Sequence, residues 1–274
     1  MATIVFCHAH PDDEASQTSG AMARASDEGN RVVVVFGTNG EHGEVAADIA
    51  DGETVAAYRR REAEASAKVL GLARISWLGY SDSGMSGWEQ NDAENSFHAA
   101  DLDEAARRLA DVLDEEDADV LVGYDWHGGY GHPDHVKVHH VVHRAADLAS
   151  RRPRLLESTM NRTAMKRQMD EGRAMGVDVG DFDPDAPMDD GNPLGTPEDE
   201  ITWRVDVSSY LDRKRASLEA HRSQASDIDE FLAIPVEAFS AIFGAEHYLE
   251  PGLDQPMTDG WPFTAPAPAA PSAG

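Results

Sequence analysis

Short apolar runs alternate with longer stretches of mixed polarity through the first 160 residues. Thr3–Cys7, Arg31–Phe36, Arg74–Leu78, Asp119–Gly123 and Arg154–Glu157 have the length and composition of strands buried on both faces. Between them, Ala15–Glu28, Thr54–Leu70, Asp101–Glu116 and Pro133–Leu148 repeat apolar residues at helical spacing. This alternation predicts βαβ units, and hence an α/β fold with a mainly parallel sheet and helices on both faces. In a doubly wound order the first and fourth strands are neighbours at the switch point. Ligands bind there, beyond the carboxyl ends of the strands.

The pattern changes after the fifth strand. Residues 176–200 are rich in Gly, Pro and Asp and read as a long loop. Asp181, Asp183 and Asp185 resemble a calcium loop, but Ala186 stands where glycine is required and Asn192 where glutamate is required, so that pattern fails. Ile201–Val207 reads as a strand and Ser208–Arg222 as a helix N-capped by Ser208 or Ser209. Residues 229–244 suggest one or two short helices and His247–Glu250 a last strand, together a C-terminal helical and strand extension. One domain over 1–262 is expected, followed by a disordered Pro/Ala-rich tail at 263–274. No internal repeat is present.

Charge narrows the partners. The chain carries 23 basic against 51 acidic residues, a formal charge of −28, which argues against nucleic acid or an anionic membrane surface. Cys7 is the one cysteine, so no internal disulfide forms, and its place in the first strand makes it a small core residue. No signal-peptide pattern or membrane-length apolar run occurs, so a soluble cytoplasmic protein is expected.

The chemistry concentrates at two strand ends. His10-Pro-Asp-Asp-Glu14 follows the first apolar run, and Gly128-Gly-Tyr-Gly-His-Pro-Asp-His135 lies beyond the fourth. Imidazole nitrogen and carboxylate oxygen suit zinc, and a catalytic zinc keeps three protein ligands and an open position. His10 and Asp13 on one tight turn, with His135 from the second cluster, make such a set. Asp12 is left free as a general base beside the activated water. One His-Pro-Asp alone also fits an Asp-capped turn; two at matching strand ends favour a site. Iron(II) shares this donor set. The first strand runs into His-Pro-Asp-Asp rather than Gly-x-Gly-x-x-Gly, so a nucleotide-binding module is excluded.

With these two motifs in this order, the chain resembles the LmbE/PIG-L-like zinc N-deacetylase family, nearest to its mycothiol-pathway branch. The similarity covers roughly the first 150 residues and, weakly, Arg213–Gln224. It implies a Rossmann-like fold, hydrolysis of an N-acyl group (commonly an N-acetyl on glucosamine), zinc on His10, Asp13 and His135, and Asp12 as base. It further implies that Tyr130 and His132 stabilise the oxyanion or polarise the carbonyl. Asp134 then holds a ligand or His132 in its tautomer, or N-caps the helix that follows. Glu44, Arg59 and Asp82 align with residues that bind the sugar in the mycothiol branch, and His42 is an extra neighbour. Gln17 departs from the branch, whose amidases carry Lys and whose cysteinyl-sugar deacetylase carries a small polar residue at that position. His221 and Gln224 resemble a late motif near the site.

The leading expectation is therefore a zinc hydrolase acting on an N-acylated amino-sugar or related small metabolite. An amidase of mycothiol-type S-conjugates is the enzymatic alternative. A non-catalytic sugar-binding protein is the alternative of another class, disfavoured by the complete set His10, Asp12, Asp13, His132 and His135.

Overall fold

The computed structural model describes residues 1–176, 180–188 and 190–265. Its centre is an eight-stranded sheet in the order β3-β2-β1-β4-β5-β7-β6-β8. Strands β1 (Thr3–His8), β2 (Arg31–Thr38), β3 (Arg74–Tyr80), β4 (Val120–Tyr124) and β5 (Arg154–Thr159) are all parallel. β1 and β4 are adjacent, as the doubly wound order requires. Helices α1 (Ser19–Asp27), α2 (Val55–Leu70), α3 (Leu102–Glu116) and α4 (Pro133–Leu148) connect them.

Alternation along the strands explains the layers. Val5, Cys7, Val33, Val35 and Leu121 point to one face and pack on α3 and α4 through Leu109, Leu113, Val138 and Val142. Ile4, Phe6, Val32, Val34 and Val122 point to the other and pack on α1 and α2 through Met22, Ala25, Ala63 and Leu70. Both faces are covered, so the strands read as unbroken apolar runs. Cys7 is buried, and burial raises its thiol to about 12, which suits a packing role.

The C-terminal extension adds one strand of the opposite sense, β7, and two that return to the sense of β1–β5. β7 (Ala245–Leu249) runs antiparallel to β5, β6 (Trp203–Asp206) antiparallel to β7, and a two-residue β8 (Thr258–Asp259) closes the edge. α5 (Arg162–Ala174), α6 (Leu211–Ala220), α7 (Ala225–Ala233) and α8 (Val236–Phe243) complete the chain. Three expectations are corrected here. The first helix opens as one π-helical turn over Glu14–Thr18. The helix expected from Ser208 begins as a 3-10 turn, and Tyr210, with no capping side chain, precedes α6. Phe263, assigned to the tail, is buried against Phe6, Tyr248 and Trp261, so the packed domain extends to this ring. The remainder of the expected tail, 266–274, and positions 177–179 and 189 of the expected loop lie outside the described residues. Among the described residues, no helix is long and apolar enough to cross a membrane.

Candidate active site

Two loops meet beyond the carboxyl ends of β1 and β4. The first is a turn under strain: Asp12 has φ +111°, a conformation an aspartate rarely adopts. Its backbone N–H donates to Glu14 Oε2 at 2.9 Å, and its carbonyl accepts from Ala15 and Ser16. Glu14 is fully buried and held in turn by His221 Nε2 (2.6 Å) and Ser66 Oγ (2.5 Å). Burial opposes the charge on Glu14, but the His221 imidazolium and these hydrogen bonds hold its carboxyl at about 2. His221, a weak signal in the sequence, is thus a buried strut under the turn.

The second loop crowds against the start of α4. Gly128 has φ +66°, and a Cβ there would lie 2.3 Å from that of His135. That approach lets His135 Nδ1–H donate to the Gly128 carbonyl at 3.1 Å. The tautomer is thereby fixed, and the Nε2 lone pair is left buried with no hydrogen-bond partner, 3.3 Å from Asp13 Oδ1. His10 is arranged likewise. Its Nε2–H donates to Asp134 Oδ2 at 3.2 Å, and its Nδ1 faces Asp13 Oδ2 at 3.5 Å. The His10 N–H and Gln17 Nε2 also donate to the Asp13 carboxylate, so Gln17 fixes that carboxylate through a neutral hydrogen bond. An orphaned buried nitrogen, a second imidazole oriented by a carboxylate, and a carboxylate between them fit a divalent ion.

The ring nitrogens of His10, His132 and His135 also lie within 4.8 Å of one another. His132 is turned differently. As N-cap of α4, its Nδ1 accepts the Asp134 N–H at 3.1 Å, which puts the ring proton on Nε2. Burial, reinforced by His10 and His135, lowers its pKa to about 2, so it is a neutral donor. The cap is therefore His132, and the Asp134 side chain does other work: it orients His10 and accepts from Ser83 N–H (2.9 Å) and Oγ (2.5 Å).

Asp12 lies beside this group with a quarter of its side chain exposed. Burial raises its pKa to about 6 while Arg59, 2.9 Å away, opposes the rise, so it is ionised at neutral pH and still basic. The Nη1 and Nη2 of Arg59 donate to Asp12 and to the Pro11 and Gly40 carbonyls, while its Nε has no partner among the described residues. Arg59 thus braces the turn and also lines the cavity. Asp82 is buried at the cavity wall, accepting from Gly84 N–H (2.8 Å) and His42 N–H (3.2 Å). Glu44 is exposed, bonds Ser226 at the start of α7 and is not among the described cavity-lining residues. Its backbone instead pairs with the Gln224 side chain. Tyr130 lines the wall with its ring 4.9 Å from that of His135.

All of this opens into a cavity of about 1030 Å³. Beyond the polar end it is walled by Met160 after β5, Met165 of α5, Phe182 of the long loop, Phe231 of α7, Ile234 just after it and Phe243 of α8. These residues belong to the extension, whose contribution the two strand-end motifs do not announce.

Residues 5–146 match the family described as PIG-L, GlcNAc-PI de-N-acetylase. A 1D-myo-inositol 2-acetamido-2-deoxy-alpha-D-glucopyranoside deacetylase of Acidothermus cellulolyticus is 36% identical over 276 residues, covering 95% of this chain and 92% of that protein. Among solved structures, the N,N'-diacetylchitobiose deacetylase of Pyrococcus horikoshii has a TM-score of 0.55 at 23% identity, over 90% of this chain and 82% of that one. The 4-carboxy-2-hydroxymuconate hydratase GalB of Pseudomonas putida has a TM-score of 0.58 at 18% identity, over 93% and 98%. A hydratase on the same scaffold shows that these structural likenesses speak to the fold alone. On the family match and the identity over nearly its whole length, the chain belongs to the PIG-L family.

Proposed function

We propose that this protein hydrolyses the N-acyl bond of an acylated amino-sugar, with acetyl the preferred acyl group, using a divalent ion held by His10, Asp13 and His135. The observation that carries the proposal is the buried, unpartnered Nε2 of His135 facing the Asp13 carboxylate, next to the strained Asp12. The names of the relatives supply the substrate class: several, 33–37% identical, are 1D-myo-inositol 2-acetamido-2-deoxy-alpha-D-glucopyranoside deacetylases. We assign zinc; iron(II) takes the same two-histidine, one-carboxylate set. When bound, such an ion polarises the amide carbonyl and acidifies water. The substrate is a soluble small molecule, and we place the reaction in the cytoplasm.

Asp12 moves the protons. Its carboxylate, aimed by Arg59, takes a proton from the water whose oxygen bonds to the amide carbon. His132, with Nδ1 occupied by the Asp134 N–H, donates Nε2–H to the carbonyl oxygen as it becomes an oxyanion. Because His132 acts as a neutral donor, Asp12 is the group that passes the proton to the amine as the C–N bond breaks. The products are the free amine and the carboxylic acid. Tyr130 borders the oxyanion side, and Asp82 is the carboxylate placed to meet a sugar hydroxyl. Arg59 acts by positioning Asp12.

The apolar wall supports a second reading, amidase action on a larger conjugate, since an acetyl group fills little of a 1030 Å³ cavity. The test is acetate and amine release from an N-acetylglucosaminyl-inositol, N-acetylglucosamine and one bulky thiol conjugate, with zinc-loaded protein. Turnover of the acetylated inositol sugar above the others is expected. Preference for the conjugate establishes the second reading, and no turnover with zinc bound favours a binding protein.

A further inference from the structure

Helix α4 carries three more imidazoles beyond His135, and two of them face β5. His139 and His143 are one turn apart on one face, with ring centroids 4.5 Å from each other. Glu157, from the neighbouring strand β5, reaches between them. Its Oε1 lies 2.5 Å from His143 Nε2 and 3.4 Å from His139 Nδ1. A ligand atom from each of the three falls within 4.8 Å of the other two. His139 Nδ1 also lies 3.1 Å from the Tyr124 carbonyl, which pins the ring with its edge toward the carboxylate.

The surroundings leave this carboxylate short of positive charge. Glu157 is buried, and among the described residues no Lys or Arg lies within ion-pair distance of it; the two imidazoles are its ion-pair partners. A buried carboxylate without a permanent cation is costly. The chain's charge of −28 adds to the demand for a cation. Access is open, because about a third of the His143 side chain is exposed. The hydrolytic reaction proposed above uses none of these three residues.

We propose that His139, His143 and Glu157 form a second metal site, for a divalent transition ion of zinc's class. Two imidazoles and one carboxylate select zinc, nickel or copper over calcium and magnesium. The ion takes the place of the proton shared between His143 and Glu157, and His139 shifts to its Nε2–H tautomer, giving up the Nδ1–H bond to the Tyr124 carbonyl. It ties α4 to β5, and so braces the helix whose first turn supplies Asp134 and His135. Its function is structural.

Equilibrium dialysis of the full chain against zinc chloride, with calcium chloride in parallel, tests this. Wild type is expected to bind two equivalents of zinc and no calcium. Asp13→Ala and His143→Ala should each bind one, and the His143→Ala protein should keep its deacetylation rate. In Asp13→Ala, whose second site is intact, zinc should still raise the melting temperature. Glu157→Gln, which keeps the shape of the site, should lose the same equivalent as His143→Ala. Saturation of wild type at one equivalent, persistence of the second in the His139→Ala/His143→Ala double variant, or no zinc on folded Asp13→Ala would each overturn the proposal.

Discussion

Two histidine–carboxylate clusters share helix α4, and they differ in almost everything except their donor atoms. At the first turn, His135 joins His10 and Asp13, each imidazole fixed by a hydrogen bond at its far nitrogen and each lone pair turned inward. A base on a strained turn and a neutral donor stand beside them, and a large cavity opens in front. Two turns along, His139, His143 and Glu157 offer the same kinds of atom. There is no Asp12 there, nor any N-capping imidazole, and Glu157 bonds His143 directly. The contrast teaches that the donor set binds an ion, whereas the strained turn, the oriented tautomers and the cavity make a reaction.

Breaking the first cluster should have the largest effect. Asp13→Ala is expected to abolish both deacetylation and one equivalent of metal, read by acetate release and metal analysis; retention of turnover would remove Asp13 from the ligand set. Next is His132→Gln, expected to lower kcat by about 10²–10³-fold with little change in metal content, as for loss of one oxyanion donor. A change confined to KM would make it a binding residue.

The strut under the turn comes third. His221→Ala leaves Glu14 buried and unpaired, which costs about 3–5 kcal/mol for a buried pair broken on one side. Chemical denaturation should show that loss, together with a fall in kcat as the Asp12 turn relaxes. Unchanged stability would mean that the Glu14–His221 contact carries no structural weight.

The smallest effect sharpens the comparison with a third histidine, His247, which has no carboxylate in ion-pair contact among the described residues. Burial, helped by Arg204, lowers its pKa from 6.5 to about 4. Between those values the unfolded chain binds more protons, so stability is full above about pH 6.5 and declines as pH falls toward 4. The decline is on the order of 3 kcal/mol at most for this group. His247→Gln should flatten that part of the stability–pH curve; an unchanged slope would place the titration elsewhere.

The sequence made the parallel half of the fold legible because both sheet faces are covered, and the β1–β5 strands stand out as apolar runs. The repeated His-Pro-Asp at two strand ends made the first cluster legible for the same topological reason. α5 is not legible in the sequence: its apolar face is only Ala164, Met165 and Met169, half-buried, in an otherwise charged stretch. β8 spans two residues and exists only as an edge pairing. That His132 rather than Asp134 caps α4 depends on which atom faces the helix N-terminus, and spacing does not encode that. Arg59 matched a sugar ligand by position, but only the fold shows Pro11, Asp12 and Gly40 around its guanidinium. His139 and His143 were in view on a helix, while their third partner lies on a strand that closes against it.

The central claim is that the ligand set and the base are separate, with Asp12 moving protons and not holding the ion. The direct measurement is deacetylation of an N-acetylglucosaminyl-inositol by Asp12→Asn, with metal content determined on the same sample. The account predicts full metal occupancy and a loss of turnover of about 10²–10⁴-fold, the range for a general base. Near wild-type turnover at full occupancy, or loss of the metal together with the activity, would contradict it.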